Sequence, residues 1–187
     1  MALQEALAAL LLEGASHGYQ LMTRLEAELG PLWETRASRV YLTLARMEQD
    51  GLVTSTRVRQ QSRPDRRLLR LTSRGRSMAE RWLAGEGSGD DAVVRLAVAR
   101  VVLPNAFDRL ASTLAGSRSA RLQRLRELRQ QDREGFQLEA LDAEIAREQA
   151  DLRWLATVRD RSDEIVARPL AHKTQKTRGS AASETAG

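Results

Sequence analysis

Cysteine is absent from this chain of 187 residues, and lysine, histidine and aromatic residues are scarce. Without cysteine the chain has no disulfide and no thiolate to bind a metal or act as a nucleophile, which suits a reducing compartment. Its two histidines, His17 and His172, lie too far apart in sequence to indicate a metal site or a catalytic pair. Since no cluster of carboxylates compensates, the sequence predicts a protein that is not an enzyme, with neither a metal nor a cofactor.

Long apolar runs are also missing. No uncharged apolar stretch approaches the roughly 20 residues that a helix needs to span a bilayer. The N-terminal stretch MALQEALAALLLEGASHGYQ has no basic n-region and contains Glu5 and Glu13, so it is not a signal peptide. With 42% hydrophobic residues the chain can still build a packed core. We therefore expect a cytoplasmic protein that has no membrane partner.

Positive charge is concentrated in one segment. Residues 57–76 carry eight arginines and one acid, Asp65, which gives the segment a net charge of +7, whereas the whole chain has +5. The remainder of the chain is therefore slightly acidic. A local cationic region fits a polyanionic partner such as nucleic acid better than it fits a generally cationic protein.

Three helices are predicted before this segment. Apolar residues recur at helical spacing over residues 3–11. A second helix follows, with Ser16 as its candidate N-cap and residues 30–31, Gly-Pro, as its end. A third helix spans about residues 36–50 and is followed by a glycine. The residues of this third helix that we expect to face the core are Val40, Leu44 and Met47.

The periodicity then changes to that of β-strands. LVTSTRVRQ and RRLLRLT lie on either side of the polar segment QSRPDR and predict a two-stranded hairpin with an irregular tip. The second strand should bury Leu69 and Leu71 while Arg70 points away, and Thr72 can cap a fourth helix. Helix, helix, helix, hairpin and helix within residues 1–84 is the order of a winged helix-turn-helix DNA-binding domain, in which the hairpin is the wing.

Three motifs at the right spacings resemble the PadR family of bacterial transcriptional regulators. They are HGYQL at the start of helix 2, SRVYLTLARMEQDGLV across helix 3 and RRLLRLTSRGR at the end of the wing. The family consists of dimeric DNA-binding repressors, some of which release DNA on binding a small molecule. The resemblance therefore implies a homodimeric repressor that binds double-stranded DNA at a pseudo-palindromic operator, and it allows a small-molecule effector. The chain departs from the family at Leu42, where proline is usual.

Helix 3 and the wing carry the candidate DNA contacts. Helix 3 of a winged helix-turn-helix enters the major groove with its N-terminal end, and the wing reaches over the backbone toward the minor groove. Arg39 can bond the guanine edge, and Thr43 can touch a thymine methyl group or a phosphate. Arginines near the wing tip would contact phosphates or enter a narrow minor groove. The alternative is that these arginines are only solvated.

The resemblance adds residues at helix 2 and helix 3 as phosphate contacts. Tyr41 corresponds to the tyrosine of helix 3 in the family, and His17 and Tyr19 belong to its HGY motif. A histidine at a helix start is also suited to capping or packing, which we favour over contact with DNA. The complete set of candidate DNA-binding residues is Ser38, Arg39, Tyr41, Thr43, Arg46, Arg63, Arg66, Arg67, His17 and Tyr19.

The second half of the chain predicts a helical dimerisation domain. Residues 85–91, GEGSGDD, are a candidate linker, and residues 92–167 should form antiparallel helices. Residues 118–129 hold five arginines and one glutamate, whereas residues 134–165 hold nine acids and four arginines, so these helices should pair, within a subunit or across a dimer. Residues 168–187 should form a disordered tail. Heptad-spaced candidates for the dimer interface are Leu138, Leu141, Ile145, Leu152 and Leu155.

Three tryptophans leave a further question open. Trp33, Trp82 and Trp154 are candidates for an apolar effector pocket between the two domains, or else residues of the core or dimer interface. A function of another class also remains open, namely a winged-helix protein-interaction module. Its basic wing would bind an acidic protein surface, and its coiled C-terminal helices would recruit another chain.

Overall fold

The computed structural model describes residues 2–30, 35–58, 66–86, 91–131 and 135–167. Within these ranges the chain is mostly helical with one small antiparallel sheet, which confirms the predicted fold class. The helices are α1 (Leu3–Leu10), α2 (Gly18–Leu29), α3 (Ala37–Gln49), α4 (Ser73–Leu83), α5 (Ala92–Val102), α6 (Phe107–Arg129), α7 (Phe136–Asp160) and α8 (Ser162–Ala167). The strands are β1 (Ser16–His17), β2 (Val53–Val58) and β3 (Arg66–Leu71).

The wing is built on the central strand of the sheet. β2 and β3 pair in antiparallel register, with Val53 opposite Leu71, and the two-residue β1 pairs with the other edge of β3. The predicted two-stranded hairpin is therefore extended by a third strand, which is too short to produce a periodic sequence pattern. Ser16, expected to cap α2, is part of β1, and His17 occupies the N-cap position instead.

Helix α1 forms the centre of the N-terminal core. Six of its eight residues are buried, because α3, α4 and α5 pack around it. The sequence predicted one stripe of leucines, but Ala6, Ala8 and Ala9 are covered completely as well. From Ala6 to Leu10 the helix is therefore apolar on every side, as this central position requires.

The ends of α2, α3 and α4 follow the predicted local signals. α2 ends at Gly30 and α3 is followed by Gly51, both with positive φ (52° and 67°), where glycine avoids the steric cost of a side chain. Thr72 caps α4, because its Oγ1 accepts a hydrogen bond from the Gly75 N–H at 3.1 Å. Gly75 has no room for a side chain, since a Cβ atom there would overlap the carbonyl oxygen of Leu52.

Helix α5 packs directly on the N-terminal unit. The buried residues of α5, α6 and α7 belong to the same apolar core as those of α1 to α4, so the core continues across the predicted boundary at residues 85–91. Asp91, which the sequence assigned to a solvated linker, is only 6% exposed. It accepts hydrogen bonds from Trp82 Nε1 at 2.7 Å and from Arg95 Nη2 at 3.1 Å. Its carboxylate thus anchors α5 to α4.

Helices α6 and α7 form a long antiparallel hairpin with ion pairs along it. Arg118 Nη1 lies 3.2 Å from Glu148 Oε1, and Arg129 pairs with Asp142 nearer the tip of the hairpin. As the residue number rises on α6 it falls on α7, which establishes the antiparallel direction. The predicted attraction between a basic and an acidic helix thus acts within one chain.

The predicted dimer-interface residues on α7 fall into two groups. Leu155 is completely buried in the core of its own chain, so it has no surface to offer a second subunit. This corrects its assignment to the interface. Leu138, Leu141, Ile145 and Leu152 are half-buried and remain candidates.

Some predicted features lie outside the described residues. They include Arg63 at the wing tip, Trp33, residues 87–90 of the linker and the tail at 168–187. For Arg66 the structure describes the backbone but not the side chain. Of the helices within the described ranges, none is long and apolar enough to cross a membrane.

Candidate nucleic-acid interface

Helix α3 presents three faces. Val40, Leu44 and Met47 are buried against the core, as predicted. Since successive residues of an α-helix are rotated by about 100°, the middle of the outward face is formed by Ser38, Leu42 and other residues at this spacing. Leu42 is 54% exposed, which is unusual for a leucine on an otherwise well-packed helix.

One flank of α3 carries the candidate arginines. Arg39, Thr43 and Arg46 line a shallow groove together with Leu42 and the first residues of α1. Both arginines are exposed. Thr43 donates its hydroxyl proton to the Arg39 carbonyl oxygen at 2.8 Å, so its side chain is oriented along the helix. This flank is cationic and open to solvent.

The other flank of α3 carries an aromatic pair. Tyr41 is 50% exposed and Tyr19, at the start of α2, is 59% exposed. Both line a cavity of about 440 Å³ between α2, α3 and β3. Gly18 permits this close approach, because a Cβ atom at that position would lie 3.0 Å from Tyr41 Cε1 and 3.1 Å from Leu44 Cδ1.

His17 joins the start of α2 to the wing. Its Nδ1 lies 2.9 Å from the carbonyl oxygen of Arg67, and since a carbonyl only accepts, Nδ1 carries the proton. The His17 backbone N–H donates to Gln20 Oε1 at 3.0 Å, which closes half of a capping box. The ring is thus held in a structural contact.

Arg67 is paired with α3. Its Nη2 lies 2.6 Å from Glu48 Oε2 and donates to Ser55 Oγ at 2.7 Å, while Ser55 donates to Glu48 Oε1 at 2.6 Å. The sequence placed Arg67 with the arginines of the wing tip, whereas the structure gives its guanidinium a carboxylate partner. We call Glu48, Ser55 and Arg67 the wing-helix cluster.

The charge state of Glu48 follows from its neighbours. The hydrogen bond from Ser55 lowers the pKa of Glu48 below its ordinary value of 4.5, and the positive charge of Arg67 acts in the same direction. Partial burial of the carboxyl opposes both. Glu48 is therefore an anion at neutral pH, matched to the Arg67 cation.

Two of the three tryptophans can be compared with the predicted effector pocket. Trp154 lines a cavity of about 460 Å³ between α2, α5, α6, α7 and α8, whose edge includes the ion pair of Glu28 with Arg100 (Oε2–Nη2, 2.6 Å). Trp82 does not reach this cavity, because its indole bonds Asp91 and its ring lies under the Arg95 guanidinium, 5.2 Å from centroid to Cζ. Trp82 is therefore a core residue.

Sequence reasoning missed the residues that hold these parts together. Neither Glu48 nor Ser55 stands out in the sequence, and Arg95, which interrupts an apolar helix, is only 1% exposed. The proximity of Glu48 to Arg67 depends on the path of the wing, which local patterns do not encode. A buried arginine in an apolar run is a usable signal, since it requires an acidic partner close by.

Comparisons with known proteins agree with the N-terminal architecture. Residues 7–81 match the model of the transcriptional regulator PadR-like family. A probable transcriptional regulator of Mycobacterium tuberculosis is 37% identical over 84 residues, which are 45% of this chain and 44% of that protein. The negative transcriptional regulator PadR of Bacillus subtilis is 27% identical over 81 residues, 43% of this chain and 44% of the relative. These alignments thus span less than half of each relative.

Solved structures resemble the chain over a greater length. Bacillus subtilis PadR in complex with operator DNA covers 84% of this chain, with 98% of its own length, 20% identity and a TM-score of 0.42. The same protein in complex with p-coumaric acid covers 86%, with 95% of its own length, 21% identity and a TM-score of 0.36. Residues 7–81 are thus similar to the PadR-like family of transcriptional regulators.

Proposed function

We propose that this chain is a homodimeric, sequence-specific DNA-binding regulator that represses transcription in the cytoplasm. The proposal rests on one observation, namely that three elements of the fold lie side by side in one exposed surface. Tyr19 at the start of α2, Tyr41 on α3 and Arg67 on β3 line the same cavity, and the arginines of α3 lie on the adjoining flank. A winged helix-turn-helix binds a duplex through these three elements.

The residues on this surface suit different parts of DNA. Arg39 can bond the O6 and N7 atoms of guanine in the major groove, and Leu42, at the middle of the outward face, can contact a thymine methyl group. Tyr41 and Tyr19 suit phosphate oxygens, as does the exposed Arg46. Ser38, Thr43 and the wing arginines Arg63 and Arg66 complete the proposed contacts.

The proposed dimer uses the outer face of α7. Leu138, Leu141, Ile145 and Leu152 are half-buried within one subunit, so a second subunit could bury them further. Two subunits related by a twofold axis would place their α3 helices in successive major grooves, about one DNA turn apart. The operator should accordingly be an inverted repeat.

Selection of bound duplexes from a random pool tests this function. We expect an enriched inverted repeat, and Arg39→Ala should weaken binding to it by about 1–3 kcal/mol while relaxing the preference at one base pair. Arg46→Ala should weaken binding to all sequences. Arg159→Ala removes an exposed arginine from α7, away from α3, and serves as the control that leaves affinity unchanged.

Two outcomes would contradict the proposal. If the wild-type chain enriches no sequence and shows no fluorescence anisotropy change with duplex DNA, the DNA-binding function is wrong. Binding to acidic proteins instead would favour the protein-interaction module. Light scattering tests the dimer independently, since Ile145→Asp should convert it to a monomer, and a monomeric wild-type chain would remove the twofold operator model.

A small-molecule effector would fit the cavity beside Trp154. The cavity touches α2, which precedes α3 in the chain, so a ligand there could shift α2 and α3 relative to α5. Planar aromatic molecules, with p-coumaric acid as a first probe, should quench tryptophan fluorescence and lower DNA affinity. Trp154→Leu should abolish both effects. If no probe changes the affinity for DNA, a ligand in this cavity does not control repression.

A further inference from the structure

We infer that Arg67 is a positioning residue, which fixes the wing against α3 through Glu48 and Ser55 instead of neutralising a DNA phosphate. This inference rests on the proposed DNA-binding function. It reassigns the arginine that the sequence placed among the phosphate contacts, and it gives Glu48, an acid beside the proposed DNA surface, a role in DNA affinity.

The wing-helix cluster connects three elements through short contacts. Glu48 lies on α3, Ser55 on β2 and Arg67 on β3, and each side chain touches the other two. Arg67 Nε makes a further contact with Ser55 Oγ at 3.2 Å. Both carboxylate oxygens of Glu48 are occupied, one by Ser55 and the other by Arg67. Such a closed set of bonds defines one relative placement of α3 and the wing.

The backbone of Arg67 adds a fourth element. Its carbonyl oxygen accepts the bond from His17 Nδ1 at the start of α2. Arg67 is therefore bonded through its main chain to the start of α2 and through its side chain to α3 and β2. No phosphate contact is needed to explain the position of this side chain.

Charge arguments also separate Arg67 from its neighbours. Arg57 lies directly opposite Arg67 on β2, and two cations at facing positions of a sheet repel each other. The carboxylate of Glu48 offsets this repulsion from one side. A phosphate that approached Arg67 would meet the Glu48 anion, whereas the exposed side chain of Arg57 is not bonded to Glu48 in the described structure.

The salt dependence of DNA binding distinguishes positioning from phosphate contact. Each neutralised phosphate contributes roughly 0.9 to the slope of log affinity against log salt concentration. Arg67→Ala and Glu48→Gln should each lower affinity by roughly tenfold, because the wing loses its fixed placement, and neither should change the slope. The double variant should bind no worse than either single variant, since both remove the same contact.

Variants of similar charge provide the controls. Arg67→Lys keeps the charge but has one ammonium nitrogen in place of the planar guanidinium, so it loses the forked contacts made by Nε and Nη2 and should restore little of the lost affinity. Arg57→Ala removes one positive charge from the facing strand. It therefore measures how the loss of charge alone changes the DNA affinity and its salt dependence. Should Arg67→Ala impair folding, Glu48→Gln preserves the side-chain volume and supplies the same test.

Opposite results would overturn the inference. If Arg67 contacts a phosphate, Arg67→Ala should reduce the slope by roughly 0.9, Arg67→Lys should restore binding, and Glu48→Gln should raise affinity by removing a repelling anion.

Amide hydrogen exchange without DNA makes the test independent of the proposed function. Glu48→Gln should speed exchange in β2 and β3, and unchanged exchange there contradicts the positioning role even if no DNA binds.

Discussion

The N-terminal unit and the α6–α7 hairpin are stabilised by different interactions. Around α1, apolar side chains from α2 to α5 and the sheet form a continuous core in which many residues have no exposed surface. Along the hairpin, apolar burial is concentrated near α5, and beyond it Arg118, Arg121 and Arg129 bond acids of α7. The first region resembles the interior of a globular domain, whereas the second depends on charge placement.

This difference matches the two proposed roles, DNA recognition by the N-terminal unit and dimerisation by the α6–α7 hairpin. A densely packed unit can hold α3 and the wing in a fixed relation, which recognition of a duplex requires. The hairpin keeps four half-buried apolar residues on α7, so a second subunit could complete its packing. Mutations that affect the two kinds of interaction should therefore differ in size and in their dependence on salt and pH.

The largest effect is expected from adding one methyl group to the N-terminal unit. Gly75→Ala would force a Cβ atom into the Leu52 carbonyl, and relief of this overlap should destabilise the fold by about 3 kcal/mol. Gly116→Ala is the matched change in the hairpin, where no atom outside the adjoining residues and backbone of α6 lies within 4 Å of the new Cβ. There the gain in helix propensity should stabilise by about 1 kcal/mol. Equal responses in urea denaturation would refute the contrast in packing.

A smaller effect is expected from the buried acid of the hairpin. Glu148→Ala should lower the free energy of unfolding by about 2 kcal/mol, which is less than the cost of breaking a typical buried ion pair. The cost is smaller because Arg118 still bonds Asp151 (Nη1–Oδ2, 3.3 Å) and Arg121 still bonds Glu144 (Nη2–Oε2, 2.7 Å). The double change Arg118→Leu with Glu148→Leu should be nearly neutral, since an apolar pair needs no desolvation of charge. A double variant as unstable as Glu148→Ala would show that the ion pair is favourable in itself.

Sequence patterns predicted the elements but not the contacts between distant segments. Helical periodicity, the glycines after α2 and α3 and the cap at Thr72 are local signals, and each was confirmed. The attraction between basic and acidic helices was also foreseen, because net charge is a property of a whole segment. Pairs such as Glu48 with Arg67 and Asp91 with Trp82 join residues whose proximity depends on the completed fold. Composition alone made Asp91 look like part of a solvated linker.

A moderate effect is expected at the cap that joins the wing to α4. Thr72 Oγ1 accepts from the Gly75 N–H and donates to the Gly51 carbonyl oxygen at 2.7 Å. Thr72→Ala should therefore destabilise the N-terminal unit by about 1 kcal/mol. Thr72→Ser keeps the hydroxyl and should recover most of this loss in the same denaturation experiment. If serine fails to do so, the methyl group and not the cap is what stabilises this junction.

The smallest effects should appear on acidification, where one carboxylate in each region can be compared. The hydrogen bond from Ser55 lowers the pKa of Glu48 below 4.5, and the hydrogen bond from Arg129 lowers that of Asp142 below 3.8. A carboxylate with a lowered folded pKa stabilises the fold above its unfolded pKa, and this stabilisation is lost as the pH falls through the folded value. The stability advantage of the wild-type chain over Glu48→Gln, and over Asp142→Asn, should therefore disappear in acid. Both advantages should be small because the two ion pairs are partly solvated.

DNA affinity at neutral pH then separates the two carboxylates. Glu48→Gln should weaken binding because Glu48 positions the wing, whereas Asp142→Asn, far along the hairpin, should change stability alone. Chemical denaturation between neutral pH and about pH 3, combined with anisotropy measurements, follows both properties. If the two variants lose DNA affinity equally, the hairpin and the wing-helix cluster act on binding through stability alone. A local role of Glu48 instead predicts that only Glu48→Gln binds DNA more weakly.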